Sequence, residues 1–220
     1  MLARDLIKDT IPPLKTSDTG LKALSWMDEF RVSHLPIVNN EKFLALISEE
    51  DILNLNKPEE SLGNHSISLM RPFVSEQNHI YEVLKLVAKL KITVVPVLDE
   101  VQNYLGLITL PDLVQSLASI AAIDGTGSIV TLELNTHDYS LSEIAHIVES
   151  NDSKILSCYI SSVPESARLE LTLKIDKMDL SRILAAFYRY NYSVVASYHE
   201  TEFVNDLKTR YDSLMNYLNI

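Results

Sequence analysis

The chain has 220 residues and a formal net charge of −11 at pH 7, and 46% of its residues are apolar. This length and apolar content suit two or three compact units, each with a core. The negative charge is spread over both halves of the chain, so neither half offers a basic surface for nucleic acid or for an anionic membrane. We therefore expect neither as a partner.

The N-terminus does not resemble an export signal, because MLARDLIKDTIPP is charged from its start and contains no long apolar stretch. No later stretch approaches the roughly 18–20 apolar residues that a membrane-spanning helix needs. The single cysteine, Cys158, rules out an internal disulfide. Its place in an alternating run predicts a small buried apolar residue. A cytoplasmic location is expected.

Two polar, glycine-containing segments divide the chain, KPEESLGNH at 57–65 and DGTGS at 124–128. Segments of this kind are typical of turns and linkers. They predict domains at 1–62, 63–124 and 128–199, followed by a helix at 200–220. That last helix is indicated by apolar residues at helical spacing, namely Phe203, Leu207, Tyr211, Leu214 and Leu218.

The first two domains are copies of one pattern. Each copy has a proline before a short apolar run (Pro13, Pro72) and then a helical pattern. A second proline (Pro36, Pro96) opens a β-branched run, which is followed by a polar turn and another apolar run. The pattern predicts β-α-β-β-α in each copy. Because neither copy is large enough to close a good core alone, we expect the two to pack pseudo-symmetrically.

Both copies end on a hydroxyl residue three places before an aspartate, Ser48 with Asp51 and Thr109 with Asp112. One interpretation is a helix cap in which the hydroxyl and the acidic residue satisfy free backbone groups. A second interpretation adds a ligand, since free N–H groups at a helix start suit phosphate and a nearby aspartate can accept hydrogen bonds from a vicinal diol. The repetition of the whole pattern favours a nucleoside phosphate ligand.

These repeats resemble a tandem pair of CBS domains, covering about residues 1–120. The second copy carries the family pattern in VPVLD (95–99) and GLIT-x-x-D (106–112). The first copy has LPIV and LALIS-x-x-D, with Ala45 where glycine is usual and Asn39 where aspartate is usual.

The resemblance implies two ligand clefts, each built across both repeats. One, here called the Asp112 cleft, is expected to be lined by Thr16, Leu21, Val32, Leu107, Thr109 and Asp112. The other, the Asp51 cleft, is expected to be lined by Ser75, Ile80, Ile92, Ser48 and Asp51. We expect the Asp112 cleft to be the main site, because its glycine-containing motif is intact. Arg31 and Lys91 are either solvated charges at helix ends or phosphate contacts, and His34 is interpreted as a packing residue.

The third domain shows a different pattern, in which RLELTLKID alternates apolar and polar residues most clearly. Together with its flanking segments it predicts β-α-β-β-α-β, the ferredoxin-like arrangement. This part resembles an ACT domain, which implies pairing between subunits and amino-acid binding at their interface. The loop NTHDYSLSE lacks the glycine that the family often has there. A structural, dimerising role is therefore preferred to amino-acid sensing, and both remain open.

The sequence contains none of the common motifs of enzyme or metal sites, since its six histidines form no i, i+3 or i, i+4 pair and it has one cysteine. We therefore predict no enzyme and no catalytic cofactor. The order of domains resembles the acetoin-utilisation regulatory proteins. It implies a homodimer that senses AMP, ADP, ATP or S-adenosylmethionine and acts on an unidentified regulated protein. The alternatives are an amino-acid sensor and a ligand-silent assembly protein.

Overall fold

The structure is a computed structural model that describes residues 1–8, 10–65, 69–162 and 166–198. It divides into two compact units, Met1–Ser116 and Leu117–Ile220. Each unit has its own cluster of buried apolar side chains. The predicted C-terminal helix at 200–220 lies outside the described residues.

The first repeat contains a 3-10 turn at Ala3–Leu6 and then two helices and two strands. These are α1 (Gly20–Phe30), β1 (His34–Asn39), β2 (Lys42–Ser48) and α2 (Glu49–Leu53), and β1 pairs antiparallel with β2. The opening strand that the sequence predicts is reduced to one parallel bridge between Leu14 and Ile37. Pro12 and Pro13 precede Leu14, and because proline has no N–H to donate, a longer ladder cannot form there.

The second repeat has the same order of elements after a 3-10 turn at Leu62–Asn64. These are β3 (Val74–Ser75), α3 (Ile80–Leu90), β4 (Val94–Leu98), β5 (Tyr104–Thr109) and α4 (Leu110–Ile120). The opening strand β3 is only two residues long and pairs parallel with β4. The predicted β-α-β-β-α order is therefore confirmed in this repeat, although its first strand is short.

The two hairpins are equivalent in register. Ile37 pairs with Ala45 in the first, and Val97 pairs with Gly106 in the second, and each pair is followed by an irregularity in the ladder. Gly106 has a φ of 148°, a conformation that side chains with a Cβ rarely adopt. Ala45 is not among the residues with positive φ. The first repeat therefore tolerates alanine because its backbone at this position is ordinary.

The C-terminal unit contains β6 (Ser128–Asn135), α5 (Leu141–Glu149), β7 (Ile155–Ser162), β8 (Arg168–Ile175), α6 (Ser181–Arg189) and β9 (Ser193–Tyr198). All strand pairs are antiparallel, and the sheet order is β7-β8-β6-β9. The order β-α-β-β-α-β that the sequence predicts is observed. Alternate residues of β6 and β8, including Val130, Leu132, Leu171 and Leu173, are buried together in the core.

One prediction about this sheet is wrong, because Cys158 is exposed rather than buried. It lies in β7, which is an edge strand whose residues are mostly exposed. Alternation along a strand indicates which residues share a face, but it does not indicate whether anything covers that face.

Gly127 lies at the start of the C-terminal sheet and provides a test of this packing. Its φ is 144°, and a Cβ added there would overlap the carbonyl oxygen of Ile175. We expect Gly127→Ala to destabilise the C-terminal unit by about 1–3 kcal/mol, because strain and steric overlap act together. The shift is measured by denaturant unfolding followed with far-ultraviolet circular dichroism, while emission of Trp26, the only tryptophan, reports the first unit.

Gly125→Ala is the matched control, because its added Cβ would meet the oxygen of Ala122 at an ordinary 3.5 Å. We expect it to change stability by less than about 0.5 kcal/mol. Equal unfolding curves for the two variants would contradict the described packing of Gly127 against β8.

Candidate functional site

Both hydroxyl–aspartate pairs cap a helix as the sequence predicts. The Ser48 hydroxyl donates to Asp51 Oδ2 at 2.6 Å, and the Asp51 backbone N–H donates back to Ser48 Oγ at 3.1 Å. The Thr109 hydroxyl donates to Asp112 Oδ2 at 2.6 Å, and the Asp112 N–H donates to Thr109 Oγ1 at 3.3 Å. The side chains of the two aspartates are therefore held in similar orientations by similar bonds.

A cavity of about 620 Å³ opens beside Asp51. Its lining comes from both repeats and comprises Ser33, His34, Ser48, Glu49, Glu50, Asp51, Leu53, Met70, Leu90 and Lys91. The structure thus brings together three residues predicted for ligand contact, namely Ser48, Asp51 and Lys91. Both hydrogen bonds that Asp51 accepts from Ser48 end on Oδ2. Among the described residues, no hydrogen bond to Asp51 Oδ1 is observed.

The other three residues predicted for the Asp51 cleft do not line this cavity. Ile80 and Ile92 have no exposed surface and belong to the core of the first unit. Ser75 lies in β3, where its N–H donates to Asn78 Oδ1 and its hydroxyl oxygen accepts from the Gln77 N–H. Their role in ligand binding stays a prediction.

His34 lines the cavity, although the sequence analysis predicts that it is a packing residue. The backbone N–H of Thr93 donates to His34 Nδ1 at 3.3 Å, and the Thr93 hydroxyl lies 3.1 Å from the same atom. Because Nδ1 accepts, the proton of the neutral ring lies on Nε2. Burial lowers the pKa of His34 below its ordinary value, and the Asp51 carboxylate offsets only part of that effect. The lowered pKa and the bond to Nδ1 both favour the neutral ring with its proton on Nε2.

The residues predicted for the Asp112 cleft differ in their exposure and in their hydrogen-bond partners. Asn39 stands where the family usually has aspartate. Its side-chain amide donates a hydrogen bond to the Thr16 hydroxyl at 2.8 Å. The side chain of Leu21 is 53% exposed, whereas Val32, Leu107 and Thr109 are buried. The ligand roles of these residues also stay predictions.

Asp112 itself has a partner that the sequence did not indicate. Lys8 Nζ lies 2.8 Å from Asp112 Oδ1, with Lys8 half exposed and Asp112 largely buried. Burial would raise the pKa of Asp112, but hydrogen bonds from Lys8 and Thr109 hold that pKa below its usual value. A pair separated by more than a hundred positions leaves no local pattern, so no sequence signal could have revealed it.

Arg31 and Lys91 occupy equivalent positions, just after α1 and α3. Each is the C-terminal cap of its helix and has a left-handed backbone, with φ of 56° and 55°. Glycine is the usual residue in this conformation, so both cations are held at some cost in backbone energy. Lys91 lines the cavity beside Asp51, and Arg31 lines a neighbouring cavity of about 420 Å³ together with Val32.

The C-terminal unit has its own cavity of about 450 Å³, at the end of β6. Arg168 pairs with Glu133 at 2.8 Å on its wall, and the Tyr192 hydroxyl donates to Glu143 at 3.0 Å. Burial and the adjacent Glu143 carboxylate raise the pKa of Tyr192 to about 12. Asp138, from the loop that the sequence singled out for its missing glycine, also lines this cavity.

The described residues contain neither a metal site nor a membrane-spanning helix. Within 1–8, 10–65, 69–162 and 166–198, no group of histidine, cysteine, aspartate or glutamate could hold a metal ion. None of the helices in the described part of the chain has the length and apolar character needed to cross a bilayer.

Removal of the Lys8–Asp112 ion pair is expected to change the pKa of Asp112. In Lys8→Gln we expect the pKa of Asp112 to rise, because the positive charge of Lys8 no longer offsets the effect of burial. A carboxyl with a lowered folded-state pKa stabilises the fold above its unfolded pKa and loses that contribution as pH falls. Acid unfolding of Lys8→Gln should therefore begin at a higher pH. Carbon-13 chemical shifts of the aspartate carboxyls measure both changes.

Lys22→Gln is the control, because Lys22 bonds Asp18 at 2.7 Å and likewise opposes the effect of burial on the pKa of Asp18. It should raise the pKa of Asp18 and leave that of Asp112 unchanged. An unaltered Asp112 titration in Lys8→Gln would mean that the ion pair does not persist in solution.

Comparison with known proteins shows which family the two repeats match. The CBS domain model matches residues 3–57 and 67–119. Among solved structures, a CBS domain pair/ACT domain protein from Thermotoga maritima is 24% identical, with a TM-score of 0.48 over 54% of this chain and 98% of that one.

Two other solved structures match a similar share of the chain. CBSX2 from Arabidopsis thaliana, in complex with AMP, is 19% identical with a TM-score of 0.47, over 54% of this chain and 97% of that one. The CBS domain of a bacterial CNNM/CorC family Mg²⁺ transporter, in complex with ATP, is 17% identical with a TM-score of 0.43, over 54% and 87%. Because the family model matches both copies of the repeat, residues 3–119 of this chain are a tandem pair of CBS domains.

Proposed function

We propose that the protein is a non-catalytic regulator whose CBS pair binds an adenine nucleotide in the Asp51 cleft. The observation that carries this proposal is the cavity beside Asp51, into which the family's aspartate can offer Oδ1. Its volume of about 620 Å³ lies within the roughly 300–1,000 Å³ of pockets that hold small ligands. The Asp112 cleft, which the sequence favoured, remains a second candidate.

The lining supplies a partner for each part of a nucleotide. The Asp51 carboxylate can accept hydrogen bonds from the ribose hydroxyls. Lys91 and the Nε2–H of His34 can donate to a phosphate. Leu53, Met70 and Leu90 supply apolar surface for the base.

The charges of the cavity also favour one class of nucleotide. Glu49, Glu50 and Asp51 outnumber the one cation, Lys91. A triphosphate would place several negative charges beside these carboxylates, which costs free energy. We therefore expect AMP, or the positively charged S-adenosylmethionine, to bind more tightly than ATP.

A ligand in this cavity would contact both repeats, because Ser48 and Asp51 come from the first and Lys91 from the second. Binding would then favour one relative arrangement of the repeats. The shift can be no larger than the difference in the ligand's affinity for the two arrangements. We propose that a ferredoxin-like, ACT-related domain at 128–199 joins two chains into a homodimer that conveys this shift to a regulated cytoplasmic protein.

The first test is thermal unfolding with AMP, ADP, ATP, S-adenosylmethionine and the common amino acids. A ligand at 100 times its dissociation constant adds about 2.7 kcal/mol of stability, which raises the melting temperature of a chain of this size by roughly 5–10 °C. We expect such a shift with AMP or S-adenosylmethionine, and a smaller one with ATP. Asp51→Asn should reduce this shift to what weaker binding at the Asp112 cleft supplies.

Glu60→Gln is the matched control, because Glu60 is an exposed carboxylate paired with Lys57 in the linker. It should leave the ligand-induced shift intact. If no adenine compound changes the melting temperature, the nucleotide proposal is wrong and a ligand-silent assembly role replaces it.

Lys91 provides a test that separates stability from binding. Lys91→Gly should leave the fold as stable or stabilise it by up to about 1 kcal/mol, because glycine removes the strain of the left-handed backbone. If Lys91 contacts phosphate, the same change should weaken AMP about 5- to 10-fold. Adenosine, which has no phosphate, should bind as before. Calorimetric titration with both ligands measures this.

Arg31→Gly is the corresponding change in the first repeat, with the same backbone conformation. It should not alter AMP binding to the Asp51 cleft. Equal weakening of AMP and adenosine by Lys91→Gly would show that Lys91 acts through the structure and not through the phosphate.

The cavity of the C-terminal unit favours amino-acid sensing as a second candidate function. Arg168 could bind an α-carboxylate, and Glu143 and Asp138 could accept from an α-ammonium group beside Tyr190. In the same thermal panel, stabilisation by an amino acid with none by adenine compounds would favour this function over the first.

A further inference from the structure

The two aspartates differ in whether Oδ1, the carboxylate oxygen that the cap hydroxyl does not bond, has a partner. In the Asp51 cleft, the bonds from Ser48 both end on Oδ2 and Oδ1 faces no hydrogen-bond donor among the described residues. In the Asp112 cleft, the Thr109 hydroxyl donates to Asp112 Oδ2 at 2.6 Å, and Lys8 Nζ lies 2.8 Å from Asp112 Oδ1. Lys8 therefore already bonds the oxygen of Asp112 to which a ligand hydroxyl could donate.

Backbone contacts of residues 1–8 hold Lys8 near Asp112. The Ala3 and Arg4 N–H groups donate to the carbonyl oxygens of Asn78 and Glu76, at 2.8 and 3.1 Å. Ala3 and Leu6 are buried in the core of the first unit. Lys8 itself forms an antiparallel bridge with Leu107, a residue predicted for the Asp112 cleft. Residues 1–8 thus form an anchored segment that ends at this cleft.

We infer that Lys8 is a specificity-determining residue that competes with ligand hydroxyls for Asp112, so that the two clefts of the CBS pair bind nucleosides with unequal affinity. This inference rests on the proposed function, because it concerns the same class of ligand. The low pKa of Asp112 agrees with it, since a carboxylate that already has two donors is less available to a third.

The competition is testable with adenosine, which has the ribose diol and no phosphate. Asp51→Asn is used as the background, so that the Asp112 cleft dominates the calorimetric signal. Asp112→Asn in that background should remove the remaining binding, which assigns it to the Asp112 cleft. Adding Lys8→Gln instead should tighten both adenosine and AMP by about two- to fivefold, the range expected for an ion pair with one exposed partner.

Two further variants serve as controls. Lys8→Arg keeps the charge and should leave the affinities unchanged. Lys57→Gln breaks another 2.8 Å ion pair, in the linker, and should also leave them unchanged.

Three results would overturn the inference. Unchanged adenosine affinity in Lys8→Gln would show that Lys8 does not compete for Asp112. Weaker AMP with unchanged adenosine would show that Lys8 is a phosphate contact. Absence of binding in the wild type and in every variant would instead overturn the nucleotide site itself, and this inference with it.

Discussion

The apolar packing between the two repeats is the interaction on which the rest of the first unit depends. A repeat of about 60 residues buries only a modest share of its surface and is marginally stable alone. Here Leu35 and Ile37 of β1 and Val95 and Val97 of β4 are buried in one common cluster. Beside this cluster, the Ser33 N–H donates to the Thr93 hydroxyl at 3.0 Å and so ties the two repeats together. The cavity beside Asp51 is lined by both repeats and so depends on this packing.

The same framework explains why equivalent residues acquire different environments. The two hydroxyl–aspartate caps have nearly the same internal geometry. Their surroundings differ because the N-terminal segment of the first repeat pairs with Leu107 and brings Lys8 to Asp112. On the other side, His34, Lys91 and Asp51 line an open cavity. Pseudo-symmetry of the sequence therefore does not give the two aspartates equal surroundings.

Much of the fold was predictable because it is encoded by local patterns. Alternation along β6 and β8 identified the buried face of the C-terminal sheet, and the S/T-x-x-D pairs identified two helix starts. Predictions that needed knowledge of the neighbours were less successful. Cys158 is exposed because β7 is an edge strand, and the opening strand of the first repeat is a single bridge at Leu14. Whether a face is covered depends on elements distant in the chain.

The sequence by itself determined the repeat, the order of elements in each unit and the two hydroxyl–aspartate caps, because these follow from spacing and composition over short distances. Only the tertiary structure decided that Asp51 lines a cavity, that Asp112 meets Lys8, and that the Nδ1 atom of His34 accepts from Thr93. The physical reason is that hydrogen bonds and burial depend on distances between atoms. Residues that are far apart in sequence reach these distances only when the two repeats pack together.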